Sequence, residues 1–296
     1  MGMRVTSYLR YKRGMNDSSN RLLLAFFLFT FAFSWSIWGA AALASHGYLS
    51  WSPPLAMTGL LGAFGPSLAA LVVTAVSGGR TQLKQLLSRL LRWRAGLHWY
   101  GLALLALPAL TLLALTIEAI FSPRPLDLSQ PPLFQMIPLP PEEAGVSPWF
   151  FLLPIFLQQM LFSSPLGEEI GWRGFALPRL QAQFGPLVAS LVIGLIWAIW
   201  HLPLTWIVGH PLADMPLTLH LAQMVVAALL FTWLYNGSGG SLLLVILFHT
   251  SMNVTGLFLP APAMPLLLGL HILLALVALH QMYTPWQQPE TTGRLR

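Results

Sequence analysis

The sequence contains no cysteine. Disulfides, thiolate metal centres and cysteine nucleophiles are therefore excluded together. Charge is almost as scarce. Asp, Glu, Lys and Arg supply 8% of the 296 residues, against about 25% in soluble globular domains. A surface so poor in charge cannot be wetted, so the solvent that suits this chain is lipid. Also missing are the alternating polar and apolar positions of barrel strands, and no internal repeat is evident.

What is present is apolar: 56% of the residues are hydrophobic, gathered into uncharged runs of about 20 residues. Eight such runs span about 22–45, 55–76, 98–120, 149–172, 186–205, 216–235, 241–259 and 265–283. Proline and glycine punctuate the gaps, at Ser52-Pro53-Pro54, in the Pro-rich stretch from 121, in 236–240 and in 259–262. Backbone polar groups in lipid must be satisfied within their own segment, which leaves helices as the solution. The expected fold is all-α, a polytopic helical membrane protein of about eight transmembrane helices. The first run follows Arg10, Lys12, Arg13 and Arg21, and Ala42-Leu43-Ala44 mimics a cleavage site. Leu22 to Ala41 is nevertheless longer than the roughly 7–15 residues of a signal-peptide core, so it reads as a retained first helix.

An even number of spans puts both termini on one side. That side collects Arg4, Arg10, Lys12, Arg13, Arg21, Arg80, Lys84, Arg89, Arg92, Arg94, Arg173, Arg179, Arg294 and Arg296, and the other has Arg124 alone. The positive-inside rule makes the richer side cytoplasmic, so both termini are expected there, in the cell membrane. This distribution accounts for the net charge of +6 and makes nucleic acid unnecessary as a partner. Trp51, Trp99, Tyr100, Trp149, Tyr283 and Trp286 fall near span ends, where amphipathic rings favour the interface.

Four regions follow: a basic cytoplasmic tail, 1–20; N-terminal transmembrane helices, 21–147; a core that carries most of the ionisable residues within spans, 148–260; and a last helix with its tail, 261–296. Within the second, Leu83, Leu86, Leu87, Leu90 and Leu91 recur at helical spacing among basic residues. Residues 80–94 therefore predict an amphipathic helix lying on anionic lipid, and 121–147 an irregular outer loop.

Ionisable groups inside spans are costly and mark function by default. They concentrate at Glu168, Glu169 and Arg173 in the fourth span, His201 in the fifth, and His249 with Asn253 in the seventh. Glu169 and Arg173 are four apart, share a helix face and can pair. Glu168 points about 100° away. His249 and Asn253 also share a face. One carboxylate, two imidazoles and an amide from three helices can surround a water molecule. The carboxylate can take a proton from that water as it attacks a carbonyl, while donors stabilise the oxyanion. Equally, Glu168, His201 and His249 could ligate a catalytic zinc. Glu168 lies too near the cytoplasm if its helix ends at Arg173, so the helix is expected to continue toward Leu180, kinked by Pro165. His220, His271 and His280 read as packing residues, and Glu118 as a snorkelled surface group.

At these positions the chain resembles the CPBP family of intramembrane proteases, which includes the type II CAAX prenyl endopeptidases. The resemblance rests on Glu168-Glu169-Ile170-Gly171-Trp172-Arg173, on Trp197-Ala198-Ile199-Trp200-His201, with tryptophan where phenylalanine is commoner, and on His249-Thr250-Ser251-Met252-Asn253. It implies that Glu168 is the general base and that His201 orients the substrate or polarises the scissile carbonyl. His249 and Asn253 would complete the water site and oxyanion pocket, with Glu169 and Arg173 as supports. Members have been described both as metalloproteases and as metal-independent glutamate proteases. The second is favoured here, since asparagine is a poor zinc ligand and no close HxxxH pair exists. The implied partners are a peptide or membrane-protein substrate and the bilayer. A proton-coupled transporter and a non-proteolytic scaffold or immunity factor are the competing uses of the same polar cluster.

Overall fold

The computed structural model describes residues 2–50, 55–122, 126–135 and 145–283, with 2–17, 55, 56 and 135 as backbone only. Trp51, Arg124, Glu142, Glu143, Trp286, Arg294 and Arg296 lie outside the described residues, as do the side chains of Arg4, Arg10, Lys12 and Arg13.

Every apolar run forms helix, and the described residues contain no strand. The elements are α1 (Gly2–Ser45), α2 (Leu55–Ala63), α3 (Gly65–Ser88), α4 (Leu97–Phe121), the single turn α5 (Pro132–Gln135), α6 (Leu152–Phe162), α7 (Ser164–Gly171), α8 (Leu177–Trp200), α9 (Leu217–Gly237), α10 (Leu242–Phe258) and α11 (Met264–Tyr283). Among the described residues, six helical stretches are long and apolar enough to cross a membrane, and α10 is a shorter apolar helix. One of the six, Pro148–Trp206, is 59 residues long and contains two of the eight expected spans.

That long stretch is interrupted where its sequence demands it. Ser163 adopts extended backbone (φ −135°, ψ −167°), and Pro165 sits in the first turn of α7, where a missing N–H costs nothing. A π turn, Trp172–Ala176, joins α7 to α8. Gly185 then takes φ 78°, ψ 172° just before Pro186, a left-handed φ that glycine adopts without a Cβ clash. The chain is thus helical from Ser164 past Arg173 and Leu180, as expected from the depth of Glu168. The kink falls at Ser163, two residues before the proline thought to cause it.

The segment carrying the glutamates is central in the bundle because small residues let backbones touch. A Cβ on Gly171 would lie 2.5 Å from the carbonyl carbon and oxygen of Pro66, and one on Gly167 2.8 Å from Ala63 O. These two glycines, one turn apart, seat α7 against the junction of α2 and α3. Trp38, Trp172, Trp197 and Trp200 are the largest fully buried side chains. Trp200 meets the rings of Trp38 and Trp172 with centroids 4.4 and 5.6 Å apart. Its carbonyl accepts from Trp35 Nε1 at 3.0 Å. This aromatic packing fixes the end of α8, where His201 begins the next turn.

One expectation is corrected. The helix predicted over 80–94 is the tail of α3, bent at Gly79 (φ 61°), then a 3-10 turn, Arg89–Leu91. Residues 92–94 are not helical; there Arg92 bonds Gly239 and Ser241 in the connection between α9 and α10. Glu118, read as a surface group, accepts the backbone N–H of Ala263 at the head of α11 in an exposed bond.

Candidate active site

Two adjacent glutamates on α7 go to different partners, as their angular separation requires. Glu169 is fully buried. Its two oxygens accept from Arg173 Nη1 at 2.9 and 3.1 Å. Its Oε1 also accepts from His249 Nδ1 at 2.7 Å. An ionised carboxylate only accepts, so Nδ1 carries the proton and Nε2 is left at the far edge of the ring. The Arg173 guanidinium lies over the rings of Trp197 and Phe231, 4.6 and 4.0 Å from their centroids. Two charges and an imidazole are thereby held together out of water.

Glu168 is also buried, with 2% exposure, but pairs with no cation among the described residues. Its Oε2 accepts from Trp197 Nε1 at 2.6 Å. Trp197 is on α8, one turn before His201. His201 Nδ1 donates to the Trp197 carbonyl at 2.8 Å, which again leaves Nε2 as the free ring nitrogen. The Trp197 ring is 5.7 Å from that of His201 and 5.9 Å from that of His249. One indole is therefore the common neighbour of Glu168, His201 and His249.

Asn253 joins through α7 instead. Its Nδ2 donates to Ser164 Oγ at 2.8 Å. Ser164 precedes Glu168 by one turn, and Asn253 follows His249 by one turn. The contacts Ser164–Asn253 and Glu169–His249 thus cross-link α7 and α10 as antiparallel neighbours. The sequence-expected residues come together on three helices, in two linked sets: three around the indole and one beside Ser164.

Reading the sequence did not find the second bond of Glu169, which it paired with Arg173 alone. Nor did it single out Ser164 or the indole N–H. Serine four residues before Glu168 was a legible helix-face signal; the Glu169–His249 contact, 80 residues apart, had none. His220, read as packing, donates Nε2–H to the Ala198 carbonyl at 3.2 Å and lies 5.9 Å ring to ring from His201. His271 lines an apolar cavity of about 190 Å³ with Leu107, Met224, Phe248 and Met252.

Zinc would need Glu168, His201 and His249 to converge. Among the described residues, no group of three His, Cys, Asp or Glu side chains is placed to hold a metal ion. The Trp197 side chain lies among the three and takes one oxygen of the only carboxylate in the set. The donor set as arranged does not fit a metal centre.

Residues 147–255 match the family model of the type II CAAX prenyl endopeptidase, Rce1-like proteins. Over 236 residues the chain is 24% identical to CAAX prenyl protease 2 of Methanococcus maripaludis, covering 77% of this chain and 82% of that protein. The chain is thus similar, over these residues, to the type II CAAX prenyl endopeptidases. The match runs from the turn before α6 to the last part of α10. It therefore contains Ser164, Glu168, Glu169, Arg173, Trp197, His201, His249 and Asn253. The apolar helices make this a multi-pass membrane protein, with its polar cluster on those helices.

Proposed function

We propose that this protein is an intramembrane endopeptidase in which Glu168 activates the attacking water. The reading is carried by one observation: the buried Glu168 carboxylate has an indole donor and, among the described residues, no paired cation, beside two histidines whose Nε2 atoms are free. Such a carboxylate is suited to take a proton, whereas Glu169 is committed to Arg173.

In the proposed step, water attacks the scissile carbonyl, its oxygen bonds to carbon, and its proton moves to Glu168. The carbonyl π pair becomes the oxyanion. Asn253 uses one amide N–H on Ser164, so its second N–H is the oxyanion donor. Collapse breaks the C–N bond, and Glu168 returns the proton to the leaving nitrogen. A neutral His201 with its proton on Nδ1 offers Nε2 as an acceptor. It therefore positions the water or a substrate N–H rather than polarising the carbonyl. His249 is oriented by Glu169 in the way a carboxylate orients the imidazole of a hydrolase triad. No step uses a metal. Both termini face the cytoplasm, and a peptide enters from that side.

The methanococcal relative is named a prenyl protease, so a farnesylated C-terminal peptide is the first probe, with its unprenylated twin as the second. Protein reconstituted in liposomes is expected to cleave at least one, as read by mass spectrometry of the fragments. Cleavage is expected to survive chelation with 1,10-phenanthroline, with zinc measured before and after. Loss on chelation and recovery with added zinc would overturn the metal-free mechanism. Failure to cut any peptide or membrane-tethered segment would overturn the endopeptidase.

Trp197→Phe separates the donor from the ring. The phenyl ring keeps the aromatic contacts, while Glu168 loses its indole partner. A hydrogen bond to a charged group contributes about 1.5–3 kcal/mol, so kcat is expected to fall by roughly 10–100-fold with a melting midpoint close to wild type. An unchanged kcat would remove the indole N–H from the reaction.

A further inference from the structure

A π turn shifts carbonyls out of the regular helical register and is often found at functional sites. The π turn Trp172–Ala176 is buried throughout, and Gly174 is its middle residue. The carbonyl of Gly174 accepts from Arg89 Nη1 at 2.7 Å. The same nitrogen donates to the Tyr235 hydroxyl at 3.0 Å on α9. Arg89 stands in the turn after α3, 85 residues away in sequence and outside the region matched by the family model.

The surroundings fix this clamp. A Cβ on Gly174 would lie 3.0 Å from Leu86 Cδ1 and 3.1 Å from Leu242 Cδ1. Leu86 is one turn before Arg89, so the end of α3 and the turn that follows it present the leucine that closes over Gly174 and the guanidinium that binds it. The next residues are tied down as well: Ser241 Oγ donates to Arg92 O at 2.5 Å, and Arg92 Nη1 donates to Gly239 O at 2.8 Å. On the same segment, Arg80, Lys84 and Arg94 are exposed, whereas Arg89 is half-buried. Charge attraction to lipid explains the exposed three and does not explain Arg89.

Gly174 is the residue after Arg173. Arg173 holds Glu169, and Glu169 holds His249. We propose that Arg89 is a positioning residue for the hydrolytic reaction, holding the π turn through the Gly174 carbonyl so that Arg173 and Glu169 keep His249 aligned. This rests on the endopeptidase reading above. The π register supplies the free carbonyl, and the guanidinium supplies a planar donor that reaches two elements at once. A lysine ammonium is a point charge without that planar fork.

The experiment compares Arg89→Ala, Arg89→Lys, Tyr235→Phe and Arg80→Ala in liposomes, with peptide kinetics and hydrogen–deuterium exchange at residues 172–176. Arg89→Ala is expected to lower kcat by about 10-fold or more with KM unchanged and to speed exchange at the π turn. Millimolar methylguanidinium is expected to restore part of the rate. Arg89→Lys and Tyr235→Phe should fall between Arg89→Ala and wild type, and Arg80→Ala should match wild type. If Arg89→Ala fails to fold, Arg89→Lys carries the same comparison. Unchanged kcat in a folded Arg89 variant, or loss of kcat with unchanged exchange at 172–176, would overturn the proposal. If wild type cleaves nothing, the endopeptidase reading fails by itself. Exchange still reads the clamp in that case, and equal exchange in Arg89→Ala and Arg80→Ala overturns it.

Discussion

Glu168→Gln is expected to reduce peptide cleavage by about 10²–10⁴-fold, the usual contribution of a positioned general base, without loss of the folded protein. Glutamine has the same shape. Its amide oxygen can still accept the Trp197 indole N–H that Glu168 Oε2 now accepts at 2.6 Å, so the packing around the indole survives. What disappears is the ability to take a proton from water. Glu168 has no ion-pair partner among the described residues, so neutralising it strands no buried cation there. Its neighbour provides the contrast. Glu169→Gln leaves Arg173, which is 0% exposed, without a counter-charge and takes a full carboxylate from His249. That variant should lose stability as well as rate. Thermal melting in detergent together with peptide kinetics separates the two. Full activity in a folded Glu168→Gln protein would show that another group is the base.

How much of this was legible follows from the range of each interaction. The helices could be read because apolar runs, proline and glycine act locally, and the backbone has no other solution in lipid. The Glu169–Arg173 pair could be read because i,i+4 geometry is local too. Continuation of the helix past Arg173 followed from the depth that Glu168 needed. The π turn did not, since its register shift is fixed by packing against Leu86 and Leu242 and by Arg89, all distant in sequence. The same distance hid the Glu169–His249 bond, which changes Glu169 from a partner of Arg173 into the hub of a three-residue group. Arg89 was read as a surface charge because its neighbours Arg80, Lys84 and Arg94 are surface charges. Composition cannot tell which of five cations on one amphipathic segment turns inward. The partner of Glu118 was hidden for a related reason: its acceptor role depends on the loop before α11, which brings the Ala263 N–H to it.

Arg173→Met is expected to destabilise the fold by about 3–5 kcal/mol, the cost of stranding one member of a buried ion pair. The methionine fills much of the space between the Trp197 and Phe231 rings, so a cavity is not the main cause. The cost comes from Glu169, left fully buried with His249 as its remaining side-chain partner. Removing both charges should reverse most of that loss, because apolar residues of similar volume often replace a buried ion pair at no cost in stability. Glu169→Leu combined with Arg173→Met should therefore unfold close to the wild-type denaturant midpoint in micelles. It should remain inactive, since His249 Nδ1 then has no carboxylate to fix its tautomer and orientation. Stability and activity would part company in the double variant and fall together in the single one. If the double variant regained cleavage along with stability, the Glu169–Arg173 pair would be only packing, and the orientation of His249 would have to come from elsewhere in α10.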